Sequence, residues 1–564
     1  MEALKNYNLT AFKLLISFAL VLGLFHSCKE KSKDVTKVEI VQQPEDINAK
    51  AEDLIQSTLK EILQKDNDLP DSVKVKNPLI LQHVYDQDGY QPLWSAKGSF
   101  NSNGDSLFAF IEQSKQYGLF PEDYYYSKLI SVRGALADTS KATKLNASLW
   151  AYSDLLLSSA FVQIVKDLKI GRLVPDSIIA KDTTLVPDFF AEKLKSFENR
   201  EDSVFERLEP KDSGYLKLKL ALQDFLPKAH FRKYTFIATE DSSQIPSLLY
   251  KRLSEEDSSL LDNERPDSVQ VSAAIKKYQK KKKIKVDGKI SAGLVDRLNG
   301  SDEEKFIRIA VNLDRYKLLP PLPDQYLFVN IPSYYLRLYQ GDTVILKSRV
   351  VVGKPTTRTP LITSAINNMI TYPKWTIPES IVKKEVLPGL QRDPSYTLKK
   401  GYSIVDDKGN EIDPFKVKWT KYKEGIPYNV VQGSGDDNAL GVLKFNFPNK
   451  YSVYLHDTNQ RYLFSSKKRA LSHGCVRVQA WDSLARFILR NDSLNSTHAI
   501  PTDSLQTWLA TKQKKYIPVR KPIPLFIRYF TCDVNNDGKL VFYEDIYEED
   551  SRIRETIFAN KILK

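Results

Sequence analysis

The stretch "YLFVNIPSYYLRLYQGDTVILKSRVVVG", residues 326 to 353, constrains the fold more than any other. Its apolar and polar residues alternate with the two-residue period of a half-buried strand, and Gln340-Gly341-Asp342 interrupts it where a tight turn belongs. It reads as a hairpin opening a β-rich domain. Further strands are expected in "LGVLKFNFPN" (440–449) and "YSVYLHDT" (451–458), with an insert rich in Pro and charge before them, roughly Trp375 to Glu424.

Upstream the period changes. In "AEDLIQSTLKEILQK" Leu54, Ile55, Leu59, Ile62 and Leu63 recur at helical spacing, and Pro121 of "QYGLFPEDYYY" sits where a helix starts. "LWAYSDLLLSSAFVQIVKDLKIGRLVP" predicts a long helix stopped near Gly171 and Pro175. The leucine and aromatic stripes of residues 51–239 read as core, with no catalytic constellation among them. Residues 240–300 form a smaller unit, with a helix centred on Ala274 to Gln279, an Asp287-Gly288 turn and a second helix ending near Leu298. If the segment is an ordinary helical hairpin, its lysine run Lys280 to Lys283 is a solvated face. A connecting helix or linker (301–323), the β-rich block (324–498) and a C-terminal extension (499–564) follow. The fold class is multidomain α+β, helical first and β-rich after.

A chain of 564 residues divides into roughly three or four domains. Its 27% charged and 42% hydrophobic residues exclude wholesale disorder and a multi-span membrane protein. The net charge of +13 invites nucleic acid, but no base-reading motif accompanies the lysines, so nucleic acid is not an expected partner. At the N-terminus, Lys5 and Lys13 precede a twelve-residue, largely apolar run from Leu14 to Phe25, too short for a stable spanning helix, and Ser27-Cys28 follow. Residues 1–28 resemble a bacterial lipoprotein signal, in which Cys28 would be lipidated, although Phe25 and His26 stand where small or aliphatic residues are usual. An uncleaved anchor and a non-lipidated secreted form stay open. Residues 29–50, charged and free of aromatics, read as a flexible tether. The implied location is the periplasmic side of a bacterial envelope, with the membrane held through Cys28.

The stretch "YLHDTNQRYLFSSKKRALSHGCVRV", residues 454 to 478, gathers two of six histidines and one of three cysteines. A zinc site would draw on His456, His473 and Cys475, but His-x-Cys matches none of the usual zinc spacings. A structural reading packs the histidine and makes Cys475 inert, or pairs it with Cys532. Nucleophilic catalysis explains more. A thiol needs a base or positive neighbour, and Gly474 allows its amide and that of Cys475 to approach a substrate as an oxyanion hole.

His456, a spacer of fifteen residues, and Ser472-His473-Gly474-Cys475-Val476-Arg477 resemble the signature of the L,D-transpeptidases. "NALGVLKFNFPN", "YLHDT" and "RALSHGCVRV" are similar to the larger subfamily. The resemblance implies a YkuD-like β-rich sandwich, a helical scaffold domain, a peptidoglycan-binding module at 240–300 and a capping insert at about 375–424. One departure is "QGSGDDNALG" (432–441), where the subfamily usually has Pro-Gly-Pro after the Gln.

By this resemblance Cys475, as thiolate, attacks the carbonyl before the terminal D-alanine of a tetrapeptide stem, and a second stem's amine resolves the thioester to a 3→3 cross-link. His456 would be the base, oriented by a group near Asp457, and His473, the rival base two residues from the thiol, would shape the pocket. Ser472 completes the motif, and Arg477 would fix the loop or bind a substrate carboxylate. Donor and acceptor stems are the partners, carbapenems the expected covalent inhibitors, and no cofactor or metal is required. Water or a lipoprotein amine as acceptor, and a silent peptidoglycan-binding lipoprotein, remain alternatives.

Finally, Asp533, Asn535, Asp537, Gly538 and Glu544 of "DVNNDGKLVFYE" fit an EF-hand loop. The flanking runs "PLFIRYFTC" and "KLVFYEDIY" favour strands, so a hairpin is expected instead, with Cys532 a small hydrophobe on its first strand.

Overall fold

The computed structural model describes residues 38–564 apart from 65–67, 70–72, 138–140, 175–184, 201–203, 239–240, 261–265, 496–499, 560, 562 and 564. Cys28, the signal segment and Pro175 lie outside the described residues. The chain divides into two compact units.

The first unit comprises residues up to 114, 120–166 and 185–206 and is largely helical. Helix Ile47–Gln64 buries Ile47, Ala51, Ile55, Leu59 and Ile62 as one stripe, so the fold begins inside the segment expected to be tether. Leu54 and Leu63 flank the stripe, half-buried. Pro121 opens a short 3₁₀ turn, Pro121–Tyr124. Helix Ala147–Lys169 is long and apolar enough to cross a membrane, yet 78% of its apolar window is buried within the protein, as in a core helix. Its Asp154, pushed up to about 6 by burial, accepts the N–H groups of Leu93 and Trp94 at 3.0 Å. That contact fastens the entry to a two-stranded ribbon, β1 (Ser95–Ala96) and β2 (Ser99–Phe100).

The second unit holds residues 115–119, 167–184 and 207–564. Helix Ser213–Phe225 packs along helix Asp302–Lys317, with Gly214 against the Tyr316 ring where a Cβ has no room. Within 301–323 the connecting helix is Asp302–Lys317, and it is packed into the unit's core. Phe306, Ile309, Ala310, Leu313 and Lys317 are fully buried, with Lys317 Nζ bonded to Asp314 (2.9 Å) and to the Asp167 carbonyl (2.8 Å). The small module has three helices rather than two: Ile245–Ser254, Ser268–Lys281 and Ala292–Leu298. Asp267 and Gln270 cap the second reciprocally, and Gly288 turns at φ +66° before the third.

The β-rich domain is one sheet that closes on itself. Its strands are β3 (Gln325–Asn330), β4 (Tyr335–Gln340), β5 (Thr343–Gly353), β6 (Ile362–Thr371), β10 (Leu443–Asn446), β11 (Leu455–His456), β12 (Ala470–Ser472), β13 (Val476–Val478) and β14 (Tyr516–Arg528). The order is β12-β5-β13-β11-β10-β6-β14-β3-β4, and β4 pairs back onto β5. The expected turn at Gly341 joins β4 to β5, and the second half of β5 leaves β4 to pair with β13 and β12, so this long strand links both layers of the sandwich. Helix Trp481–Asn495 covers the core with Leu484, Ala485, Ile488 and Leu489.

Two expected boundaries change. The insert has its own core of Ile377, Val382, Leu387, Trp419 and Val430 over a small sheet of β7 (Trp375–Thr376), β8 (Tyr402–Val405) and β9 (Asn429–Gln432). It therefore runs to Gln432 rather than Glu424. The C-terminal segment is no appendage either, because β14 lies inside the sheet, antiparallel to β6 and parallel to β3. Pro518, Pro522 and Pro524 fall at or beside its register shift, where a strand tolerates missing N–H donors. The hairpin expected after it is present as β15 (Cys532–Val534) and β16 (Leu540–Phe542), turned at Gly538 with φ +75°. Two of the three carboxylates of the EF-hand pattern face cations there: Asp533 pairs with Arg337 (3.3 Å) and Glu544 with Lys468 (2.5 Å).

Candidate active site

Strand register decides which side chains meet. Lys444 on β10 pairs with His456 on β11, and His456 with Arg477 on β13. Residues two apart on a strand share a face, which adds Tyr454 beside His456 and Cys475 beside Arg477. The intervening Phe445, Leu455 and Val476 are fully buried in the core on the other face. Contacts agree with the register. The Tyr454 and His456 rings meet edge-on at 5.8 Å, Lys444 Nζ lies 3.7 Å from the Tyr454 ring centre, and the Tyr454 hydroxyl hydrogen-bonds the Cys475 thiol.

His456 is buried, and its Nδ1–H donates to the Asp457 carbonyl. That leaves Nε2 as the lone-pair nitrogen of a neutral ring. Burial first, then the charges of Arg477 and Lys444, hold its pKa down to about 3. The group "near Asp457" is thus the backbone carbonyl. The Asp457 carboxylate serves the backbone instead, accepting Val442 N–H (3.1 Å) and Arg461 (2.8 Å) and so locking the strand entry. Gly441, at φ +62°, lies against that carboxylate, and a Cβ would collide with it.

Burial pushes the Cys475 thiol up, while Tyr454, Lys444 and Arg477 pull the other way. The Sγ–H points to the Ser452 carbonyl at 3.9 Å. At rest the thiol and the imidazole are therefore both neutral.

Ser472 braces the loop: its Oγ accepts Gly474 N–H (3.1 Å) and donates to the Cys475 carbonyl (2.6 Å). The Gly474 amide is thus engaged within the loop. Thr357 and Thr359 hold the Ser472 and Gly474 carbonyls (3.0 and 2.8 Å). The buried Tyr547 hydroxyl steadies this second loop, donating to the Gly353 carbonyl (2.7 Å) and accepting Thr359 N–H (3.0 Å). His473 turns to the insert, its Nε2 lying 2.5 Å from Glu385 Oε1. That contact disfavours it as base. Arg477 reaches Gln460 (2.8 Å) and Thr458 (3.3 Å), which suits the loop-fixing role.

No metal-holding group of three His, Cys, Asp or Glu occurs among the described residues, and Cys475 and Cys532 are both free thiols. The unusual loop at 432–441 is closed by its own bonds: Gln432 accepts Ala439 N–H (2.9 Å) and Asn438 accepts Leu440 N–H (2.8 Å). Sequence reasoning missed Lys444, Tyr454, Glu385 and Tyr547. The first two were within reach, since alternation along "LKFN" and "YLH" puts them on the face of His456. The other two come from distant segments without a local signal.

Residues 324–495 match the YkuD family, described as the L,D-transpeptidase catalytic domain. This chain carries an L,D-transpeptidase domain. Residues 80–222 match a family described as a scaffold domain. A Haemophilus influenzae protein named "Putative L,D-transpeptidase" is 39% identical over 246 residues, which is 44% of this chain and 48% of that protein. The chain thus spans about half the length of this curated relative. The matched L,D-transpeptidase span contains His456, Ser472, His473, Gly474, Cys475 and Arg477, whereas β14 and Tyr547 lie beyond it.

Proposed function

We propose that this protein is a peptidoglycan L,D-transpeptidase that forms 3→3 cross-links between tetrapeptide stems through a Cys475 thioester. The observation that carries the reading is the shared face of Lys444, Tyr454, His456, Cys475 and Arg477. Cys475 Sγ attacks the carbonyl between the third residue of the donor stem and its terminal D-alanine, and His456 Nε2 takes the thiol proton. The developing oxyanion is met by the Cys475 amide and the Tyr454 hydroxyl, with Lys444 adding positive charge. His456 returns the proton to the departing D-alanine amine. The side-chain amine of the acceptor stem then attacks the thioester and gives its proton to the regenerated thiol through His456. The insert, joined to the loop by Glu385 and His473, shields the thioester from water, which favours an amine acceptor over hydrolysis.

Anchoring through lipidated Cys28 on the periplasmic side, wall binding by residues 240–300 and acylation by carbapenems belong to the same proposal. The test is incubation of purified protein with disaccharide-tetrapeptides and mass spectrometry of the products. Dimers joined 3→3 with D-alanine release, absent in Cys475→Ala, support the reading. Release of D-alanine with tripeptide alone would make it a carboxypeptidase, and an unchanged substrate would leave the site silent.

A further inference from the structure

The lysine run of the small module has a more specific conformation than a solvated face requires. After helix Ser268–Lys281 the chain reverses at Lys283 (φ +53°), and Gln279 clamps the returning loop: its Oε1 accepts Asp287 N–H (3.0 Å) and Gly288 N–H (2.9 Å), and its Nε2 donates to Asp287 Oδ1 (2.9 Å). The end of the helix and the clamped loop together present Lys280, Lys281, Lys283, Lys285 and Lys289 to solvent. Among the described residues, none of Lys280, Lys281, Lys283 and Lys289 has a carboxylate within salt-bridge distance, and Lys285 has only Asp287 at 3.9 Å. Like charges fixed this closely repel one another unless an anionic surface meets them.

Beside these lysines, Val286 is 52% and Ile290 41% exposed. Isolated exposed aliphatics need no explanation, but here two branched side chains lie four residues apart in a segment that also carries Lys285 and Lys289. A carbohydrate or peptide wall offers carboxylates without an apolar phase. A bilayer interface offers both. Clustered lysines gain about 1 kcal/mol each near anionic headgroups, and a basic patch is the second signal that makes single-point membrane attachment firm. We propose that residues 280–290 are a membrane-docking tip, with the lysines at the phosphates of anionic lipids and Val286 and Ile290 in the interfacial layer.

The test uses the full chain with Cys28→Ser and Cys475→Ser, and an environment-sensitive fluorophore on Val286→Cys; the remaining thiol, Cys532, is buried. The N-terminal apolar run can hold the chain on any vesicle, so the probe reports the loop alone. On phosphatidylcholine vesicles containing phosphatidylglycerol its emission should shift to the blue and brighten. The effect should reverse in high salt and weaken by roughly a hundred-fold or more in apparent affinity with Lys281→Glu, Lys283→Glu and Lys285→Glu combined. It should be missing on phosphatidylcholine alone. No response on anionic vesicles, an equal response on neutral ones, or a response to isolated cell-wall sacculi but not to vesicles would each overturn the proposal, the last by making the loop a wall-binding surface.

Discussion

A buried neutral His456 makes the stability of the catalytic sheet depend on pH in a calculable way. In the unfolded chain its imidazole titrates near the ordinary 6.5, and in the folded sheet near 3. Below pH 6.5 the unfolded state therefore binds a proton that the folded state refuses, so this contribution is fully present above 6.5 and falls away as pH drops toward 3. From pH 8.5 down to 4.5 the loss comes to about two pH units at 1.36 kcal/mol each, about 2.7 kcal/mol. His456→Gln keeps a polar side chain without the titration. Urea unfolding of the full chain, followed by hydrogen exchange of peptides covering residues 443–478, should show wild type losing about 2.7 kcal/mol more than the variant over that window. The baseline offset between the two proteins is irrelevant, because the readout is the difference in slope. Parallel profiles would refute the reasoning, since they would mean that His456 protonates as readily folded as unfolded.

Three further outcomes follow from named contacts. Glu385→Gln removes the charge that faces His473; an exposed pair of this kind is worth about 0.2–1 kcal/mol, so exchange in residues 382–390 should rise and the KM for stem substrates shift up to several-fold while acylation by a small carbapenem stays unchanged. Tyr547→Phe leaves the Gly353 carbonyl and Thr359 N–H buried without their partner and should cost about 1–3 kcal/mol in thermal unfolding, with slower acylation of Cys475. Calcium should leave the melting temperature unchanged, because Asp533 and Glu544 already face Arg337 and Lys468; a rise abolished by Asp533→Ala would contradict this.

The parts legible in the sequence were those written in short-range periodicity. The β4–β5 hairpin followed from alternation and Gly341, the β15–β16 hairpin from Asn536-Asp537-Gly538, and the two later module helices from apolar spacing about the Asp287-Gly288 turn. Long-range placement was not legible. Nothing local in "YIPVRKPIPLFIR" says that a proline-bearing strand will pair between β6 and β3, because its two partners precede it by well over a hundred residues. The same limit hid the end of the insert, where β9 returns to pair with β7 and β8. At the site, the motif named His456 and Cys475, but their protonation depends on burial and on the charges of Lys444 and Arg477, which become neighbours only through register. Likewise, the Gly474 amide looked available until Ser472 folded back onto it.

The central claim is that Cys475 carries the stem as a thioester. Intact-protein mass spectrometry after brief exposure to disaccharide-tetrapeptide, quenched in acid, tests it most directly. The thioester mechanism predicts an adduct of the donor lacking its terminal D-alanine, mapped to the peptide containing Cys475, released by hydroxylamine, strongly reduced in His456→Ala and missing in Cys475→Ala. Cross-linked product formed at the normal rate by Cys475→Ala, or an adduct mapped to any other residue, would contradict it.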